Sequence, residues 1–106
     1  MKILIVDDEL EICNIFDDFF TPKGNVVSKA TSGKEALVKV KTDKPQLVFL
    51  DIRMSQMDGL EVLKKIKQQD AKLPVIVLTG YVSTQRAIEA MKEGAYEYIT
   101  KPFSLE

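Results

Sequence analysis

Residues 3–9, ILIVDDE, decide the fold, because a buried strand ends here directly in three carboxylates. The run of Ile, Leu and Val is typical of a strand that is covered on both faces, as in a parallel sheet. No Lys or Arg stands beside the carboxylates of Asp7, Asp8 and Glu9. Their counter-charge must therefore come from a distant part of the chain or from a bound ion.

Similar apolar runs recur along the chain, at residues 2–6, 25–30, 46–50, 74–78 and 96–100. The segments between them have helical spacing, and strictly alternating strands and helices predict an open parallel sheet with right-handed crossovers. We expect an α/β, flavodoxin-like, doubly wound sheet of five strands in the order 2-1-3-4-5. Only PFSLE follows the last run, so the fifth helix is predicted to be absent or truncated. We interpret residues 1–106 as one domain.

Helix boundaries have recognisable signals. Two residue pairs have the spacing of a capping box at a helix start: Ser32 with Glu35, and Asp58 with Glu61. Gly24 and Gly94 fall where glycines that end helices or form turns are expected. In the first helical segment the apolar side chains gather on one face, with Leu10 and Ile15 at its margins. We interpret these two as peripheral core, with docking of a kinase helix bundle as the alternative.

Composition excludes several classes of function. The net charge of −1 gives no field that attracts nucleic acid, and no stretch approaches the length of a membrane span. Cys13 is the single cysteine, which rules out an internal disulfide and favours core packing. The chain has no His, so carboxylates, hydroxyls and amines must carry any chemistry. We expect a cytoplasmic protein.

Polar residues follow four of the five predicted strands. They are Asp7 and Asp8, Asp51, Thr79, and Lys101. Taken singly, each has a simple structural interpretation: Asp8 as a helix cap, Asp51 as a loop residue, Thr79 as a turn residue, and Lys101 as a solvated side chain. Binding sites in open α/β sheets form beyond the carboxyl ends of the strands, so the five residues are predicted to converge.

Convergence would force three carboxylates together. Two such charges ~4 Å apart repel by about 4 kcal/mol at an effective dielectric of 20. A single Lys does not offset the repulsion among three carboxylates. Oxygen-only ligands fit Mg²⁺, with Mn²⁺ as an alternative, better than zinc. The charges of three carboxylates, one ammonium group and a divalent cation add up to zero, so the site would be neutral. Attack of Asp51 on phosphorus would change that charge little, and Thr79 could donate its hydroxyl to a phosphoryl oxygen.

The motifs VDDE (6–9), FLDIRM (49–54), MDG (57–59), VLTG (77–80) and YITKPF (98–103), in this order, resemble the receiver domains of bacterial two-component response regulators. The resemblance implies a phosphorylation-dependent signalling switch. Asp51 would be the phosphoacceptor, charged from a phosphohistidine on a sensor histidine kinase or a histidine phosphotransfer protein. The domain would be regulatory, not an enzyme, and would catalyse only its own phosphorylation and dephosphorylation.

The same resemblance implies the ligands of the ion. Asp8 and Asp51 would bind Mg²⁺ directly, the backbone carbonyl of Arg53 would be a third ligand, and Asp7 would act through water. Gly59 matches the loop after the phosphoacceptor, although it also has the simpler interpretation of a turn glycine.

The resemblance further implies how the phosphoryl group is sensed. Lys101 would contact it, oriented by a cis peptide bond before Pro102. Thr79 and Tyr98 would form the switch, in which Thr79 turns toward the phosphoryl oxygen and Tyr98 moves inward. An output domain or partner protein would receive the signal, and a homodimer is left open. We expect no direct contact with nucleic acid or membrane.

Other functions remain alternatives. One is a Mg²⁺-dependent phosphohydrolase with Asp51 as the nucleophile, although Arg53 stands where such enzymes usually have an acid. Another is a flavin- or nucleotide-binding fold of the same topology, although acids after the first strand would repel phosphate. A third is an interaction module that has lost phosphorylation.

Overall fold

The computed structural model describes residues 1–53, 58–79 and 84–100. Strands and helices alternate as predicted, and each of the five strands begins within one residue of the start of its apolar run. The elements are β1 (Lys2–Val6), α1 (Leu10–Phe20), β2 (Val26–Ala30), α2 (Gly33–Thr42), β3 (Leu47–Asp51), α3 (Gly59–Gln69), β4 (Val75–Thr79), α4 (Thr84–Lys92) and β5 (Glu97–Thr100). A 3₁₀ turn over Thr21–Lys23 follows α1.

All neighbouring strands are parallel and lie in the order β2-β1-β3-β4-β5. This confirms the predicted flavodoxin-like sheet. No helix follows β5 within the described residues, which end at Thr100, and residues 101–106 lie outside them. Among the described helices, none has both the length and the hydrophobicity that crossing a membrane requires.

The sheet is covered on both faces, which explains the unbroken apolar runs. Leu4 and Val6 of β1 contribute to a core with α2, α3 and α4, whereas Ile3 and Ile5 pack on the side of α1. Because successive side chains of a strand point to opposite faces, a strand with two buried faces needs apolar residues at every position. That requirement produces the sequence pattern of β1.

Helix α1 packs through aromatic rings. Phe16 is fully buried, and its ring centroid lies 4.8 Å from that of Phe49 on β3. Cys13 is buried in the same core, as predicted, and desolvation by this burial raises the pKa of its thiol to about 11. Leu10 and Ile15 are 54% and 51% exposed, so the interpretation as peripheral core was wrong. They lie on the side of α1 that the sheet does not cover.

Two helix starts follow the predicted caps. Ser32 accepts a hydrogen bond from the backbone of Glu35 at 3.1 Å, and the Glu35 carboxylate accepts one from Thr31 N at 2.7 Å. Asp58 caps α3 by accepting a hydrogen bond from Leu60 N at 2.9 Å. Both caps satisfy backbone N–H groups that lack partners in the first turn. The predicted glycines also behave as expected, with positive φ at Gly24 (+92°) and Gly94 (+100°).

Candidate functional site

The strand register brings Asp7, Asp51 and Thr79, three of the predicted site residues, to one edge of the sheet. Val6 pairs with Leu50, so Asp7 follows β1 at the level where Asp51 ends β3. Asp51 in turn pairs with Leu78, and Thr79 stands one position beyond it at the end of β4. Parallel strands thus carry side chains from three distant segments to a common edge.

Three carboxylates form a cluster at this edge. One oxygen atom each of Asp7, Asp8 and Asp51 lies within 4.8 Å of the others. Asp7 is fully buried and Asp51 is 5% exposed, while Asp8 is the most accessible of the three. Close carboxylates with oxygen-only donors suit a hard divalent cation. The cluster can therefore hold a metal ion.

Asp7 is fixed by its backbone and by its side chain. Its N–H donates to Ala30 O at 3.0 Å, and its carboxylate accepts from Glu9 N at 2.9 Å. The thiol of Cys13 donates to the carbonyl oxygen of Asp7 at 3.5 Å. Helix α1 begins after Glu9, which occupies the N-cap position, so the interpretation of Asp8 as a helix cap was wrong. The carboxylate of Asp8 instead belongs to the cluster with Asp7 and Asp51.

The backbone after Asp51 folds back on the carboxylate of this residue. Arg53 N donates to Asp51 Oδ1 at 2.9 Å, and Ile52 N donates to Leu78 O at 3.1 Å. Both bonds anchor the first residues of the loop that follows β3. The backbone of Arg53, the predicted carbonyl ligand, is thereby held next to the carboxylate of Asp51.

This loop is closed at its base. Arg53 and Asp58 form an isolated antiparallel bridge, and Gly59 N donates to Ile52 O at 3.2 Å. A Cβ atom on Gly59 would lie 2.2 Å from Ile52 Cα, closer than real Cβ contacts come. Gly59 is therefore required by a close backbone approach and is more than a turn glycine. Residues 54–57 lie outside the described part of the chain.

The two predicted switch residues lie on neighbouring strands. Thr79 is 5% exposed and pairs with Thr100, whereas Tyr98 is 42% exposed and pairs with Val77. Tyr98 lines a groove of about 360 Å³ with apolar residues of α4, among them Ile88 and Met91. The predicted contacts of Lys101 and its cis peptide bond to Pro102 lie outside the described residues.

Arg86 is a residue that the sequence interpretation missed. It lies on α4 and donates to Asp58 Oδ1 at 2.7 Å and to Ile52 O at 3.4 Å. Burial of Asp58 acts to raise its pKa, but the hydrogen bonds from Arg86 and Leu60 N outweigh this and hold the pKa below its ordinary value. No cap, periodicity or motif in the sequence marks this contact, because it joins residues 28 positions apart.

Comparison with known proteins agrees with this geometry. The chain matches the family model "Response regulator receiver domain" over residues 3–106. It is 41% identical, over 100% of its own length and 24% of the relative's, to "Transcriptional regulatory protein ZraR" of Klebsiella oxytoca. It is 39% identical to "Alkaline phosphatase synthesis transcriptional regulatory protein PhoP" of Bacillus subtilis, over 97% of this chain and 43% of the relative.

A solved structure has the same fold. The crystal structure of a CheY-like response regulator receiver domain protein from Methanospirillum hungatei JF-1 superposes with a TM-score of 0.93 at 31% identity. The match covers 97% of this chain and 82% of that one. The chain thus spans about a quarter to less than half of the curated relatives named above, but most of this receiver structure. With a family model that covers nearly every residue and a strand order to match, the chain belongs to the receiver domains of two-component response regulators.

Proposed function

We propose that residues 1–106 act as one receiver domain in which Asp51 accepts a phosphoryl group in a Mg²⁺-dependent reaction. The observation that carries this proposal is the cluster of three carboxylates within 4.8 Å, two of them buried. Buried carboxylates repel one another strongly, and a fold tolerates them where a function requires them. A site for a cation beside a nucleophilic carboxylate meets that requirement.

The residues of the cluster fit a hard cation. Asp8 and Asp51 would bind Mg²⁺ or Mn²⁺ directly, the backbone carbonyl of Arg53 would be a third ligand, and Asp7 would bind through water. When bound, the ion supplies positive charge that offsets the carboxylates and the oxygens of the incoming phosphoryl group. Asp7 keeps its position through its bonds to Glu9 and Ala30.

Phosphorylation forms one bond and breaks one. A carboxylate oxygen of Asp51 attacks phosphorus, and the bond from phosphorus to the imidazole nitrogen of the donor breaks, its electron pair leaving with the imidazole. Arg53 N fixes the orientation of the attacking carboxylate by donating to Oδ1. Thr79 would donate its hydroxyl, and Lys101 its ammonium, to the phosphoryl oxygens, where added negative charge strengthens such hydrogen bonds.

The switch would couple this event to a partner surface. Thr79 would turn toward the phosphoryl oxygen and leave space beside β5, into which the exposed ring of Tyr98 would move. The movement would alter the groove between α4 and β5, which Ile88 and Met91 also line. A phosphoryl group shifts such an equilibrium by its differential affinity, typically about 1–3 kcal/mol.

The domain would be regulatory and would catalyse only its own phosphorylation and dephosphorylation. We expect slow self-hydrolysis, because the bulky side chain of Arg53, two positions after Asp51, would flank the path of the attacking water. The donor would be a sensor histidine kinase or a histidine phosphotransfer protein in the cytoplasm, and Leu10 and Ile15, exposed on α1, offer an apolar contact for its helix bundle. The domain would pass the signal to an output domain or a partner protein, and a homodimer is left open.

The proposal is tested by incubating the protein with acetyl phosphate and Mg²⁺ and measuring its mass by intact-protein mass spectrometry. We expect a gain of one phosphoryl group that a chelator prevents. Asp51→Asn should abolish the gain, whereas Asp18→Asn, a change at an exposed position of α1, should not. A folded wild-type protein that gains no phosphoryl group would refute the proposal, as would equal labelling of Asp51→Asn.

A further inference from the structure

Helix α4 is joined to the base of the loop that follows the phosphoacceptor. One guanidinium nitrogen of Arg86 lies 2.7 Å from Asp58 Oδ1 and 3.4 Å from Ile52 O. Ile52 and Asp58 stand at the two ends of this loop, which leaves β3 at Ile52 and enters α3 at its N-cap, Asp58. A single side chain on α4 thus contacts both ends of the loop.

The same two acceptors hold the loop closed from within. Ile52 O also accepts from Gly59 N at 3.2 Å, and Asp58 Oδ1 also accepts from Leu60 N at 2.9 Å. Arg86 therefore adds to bonds that already fix the base of the loop, and it adds a positive charge from another helix. Charge-assisted hydrogen bonds of this kind are stronger than neutral ones.

We propose that Arg86 is a positioning residue for the phosphorylation site: through Asp58 and Ile52 it holds the loop whose Arg53 carbonyl binds the metal ion. Arg53 stands between the two points, bonded to Asp51 through its N–H and paired with Asp58 across the loop. A loop that is held in place loses less freedom when the ion binds, so the affinity for Mg²⁺ increases. The inference rests on the proposed function, which assigns the ion and its ligands.

The size of the effect follows from the exposure of the pair. The side chains of Arg86 and Asp58 are 35% and 45% exposed, and ion pairs at such positions contribute little in free energy. We therefore expect loss of Arg86 to raise the Mg²⁺ dissociation constant about two- to fivefold. Because solvent and salt reach the pair, the difference should shrink as ionic strength increases.

The test measures Mg²⁺ binding by calorimetry and, separately, the rate of phosphorylation by acetyl phosphate against Mg²⁺ concentration. Arg86→Ala should raise the dissociation constant and the half-saturating Mg²⁺ concentration by the same factor. The rate at saturating Mg²⁺ should stay close to that of the wild type. A role in general stability alone would not produce this separation. Gln85→Ala, on the same turn of α4, is the matched control and should match the wild type.

Three further variants keep the proposal falsifiable if Arg86→Ala folds poorly. Asp58→Asn retains an oxygen that can cap α3 but removes the charge, and it should raise the Mg²⁺ dissociation constant as Arg86→Ala does. The double variant should be no worse than Arg86→Ala alone, because Arg86→Ala already removes the pair with Asp58. Arg86→Lys retains the charge and should recover part of the affinity.

The outcomes separate this inference from the proposed function. If wild-type protein binds Mg²⁺ and is phosphorylated, but Arg86→Ala and Asp58→Asn have unchanged Mg²⁺ half-saturation, the role of Arg86 is refuted and the phosphoacceptor role of Asp51 stands. Additive effects of the two changes would also refute it. If the wild type neither binds Mg²⁺ nor gains a phosphoryl group, both proposals fail.

Discussion

The backbone of Ile52 occupies the space in which a side chain on Gly59 would begin: an added Cβ would lie 2.2 Å from Ile52 Cα. The two residues are also bonded, since Gly59 N donates to Ile52 O. Ile52 follows Asp51 directly, so this contact sets where the chain returns from the loop beside Asp51. Any side chain at position 59 must push the two backbones apart.

We therefore predict that Gly59→Ala lowers the free energy of unfolding by about 1–3 kcal/mol, the usual cost of overpacking, and weakens Mg²⁺ binding. Urea denaturation and calorimetry measure the two effects. Gly24→Ala is the control: its Cβ would meet nothing within 4 Å, but its φ of +92° strains a side chain. It should lose stability and keep its Mg²⁺ affinity. Unchanged stability in Gly59→Ala would contradict the close approach.

The carboxylate cluster predicts that Asp8→Ala changes thermal stability in opposite directions with and without metal. Charges at 4.8 Å repel by about 3 kcal/mol at an effective dielectric of 20, and the exposure of Asp8 reduces this to about 1 kcal/mol. Without metal, Asp8→Ala should raise the melting temperature. With Mg²⁺ it should lose the stabilisation that the wild type gains from binding.

Thermal melting with Mg²⁺ and with a chelator measures both effects, and Asp18→Ala, an exposed carboxylate on α1, serves as the control. Asp18→Ala should retain the full Mg²⁺-dependent increase in melting temperature. An equal increase in Asp8→Ala would show that Asp8 does not bind the ion.

The two tyrosines that flank Glu97 should respond differently to phosphorylation. Tyr98 is 42% exposed and Tyr96 is 73% exposed. If Tyr98 is the switch residue, its ring should become buried when Asp51 is phosphorylated, while Tyr96 stays in solvent. Fluorine NMR of fluorotyrosine-labelled protein, with a paramagnetic solvent probe, reports the exposure of each ring. The switch role fails if the probe reaches Tyr98 equally in both states.

The contact between α1 and β2 predicts a dependence of stability on pH. The hydrogen bond from Thr21 and the ammonium of Lys29, 2.9 Å away, lower the pKa of Asp17 below its ordinary value of 3.8. A carboxylate with a lowered pKa in the folded state stabilises the fold at higher pH, and this contribution is lost as pH falls through that pKa.

Asp17→Asn should therefore be less stable than the wild type at neutral pH, and the difference should shrink in acid. Denaturation by urea across a pH series measures it, with Asp18→Asn as the control. The free energy of unfolding is plotted against pH for the wild type and for Asp17→Asn. If these two curves ran parallel throughout the acid range, the hydrogen bond from Thr21 and the pairing with Lys29 would have no effect on stability.

Much of the fold could be predicted because burial on both faces leaves a direct mark on the sequence. The continuous apolar runs of β1 and β3 identify a parallel sheet, and the acids that follow them identify the edge where Asp7, Asp8 and Asp51 meet. Strand ends are marked by the change from apolar to polar residues.

Nothing in the fold or the comparisons favours the phosphohydrolase alternative.

The rest depended on how elements pack in three dimensions. Leu10 and Ile15 lie at the margins of an apolar face, and the placement of α1 against the sheet decides whether such margins are covered. The contact of Arg86 with Asp58 joins segments that have no shared pattern. Gly59 could be identified as a turn residue, but only the approach of Ile52 reveals why no larger residue fits.

The most direct test of the central claim is to locate the phosphoryl group. After reaction with acetyl phosphate and Mg²⁺, borohydride reduction of the acyl phosphate followed by tandem mass spectrometry marks the modified residue. We predict modification at Asp51 that disappears when Mg²⁺ is chelated. Modification of Asp7 or Asp8 in place of Asp51, or modification at Asp51 that does not depend on the ion, would contradict the account.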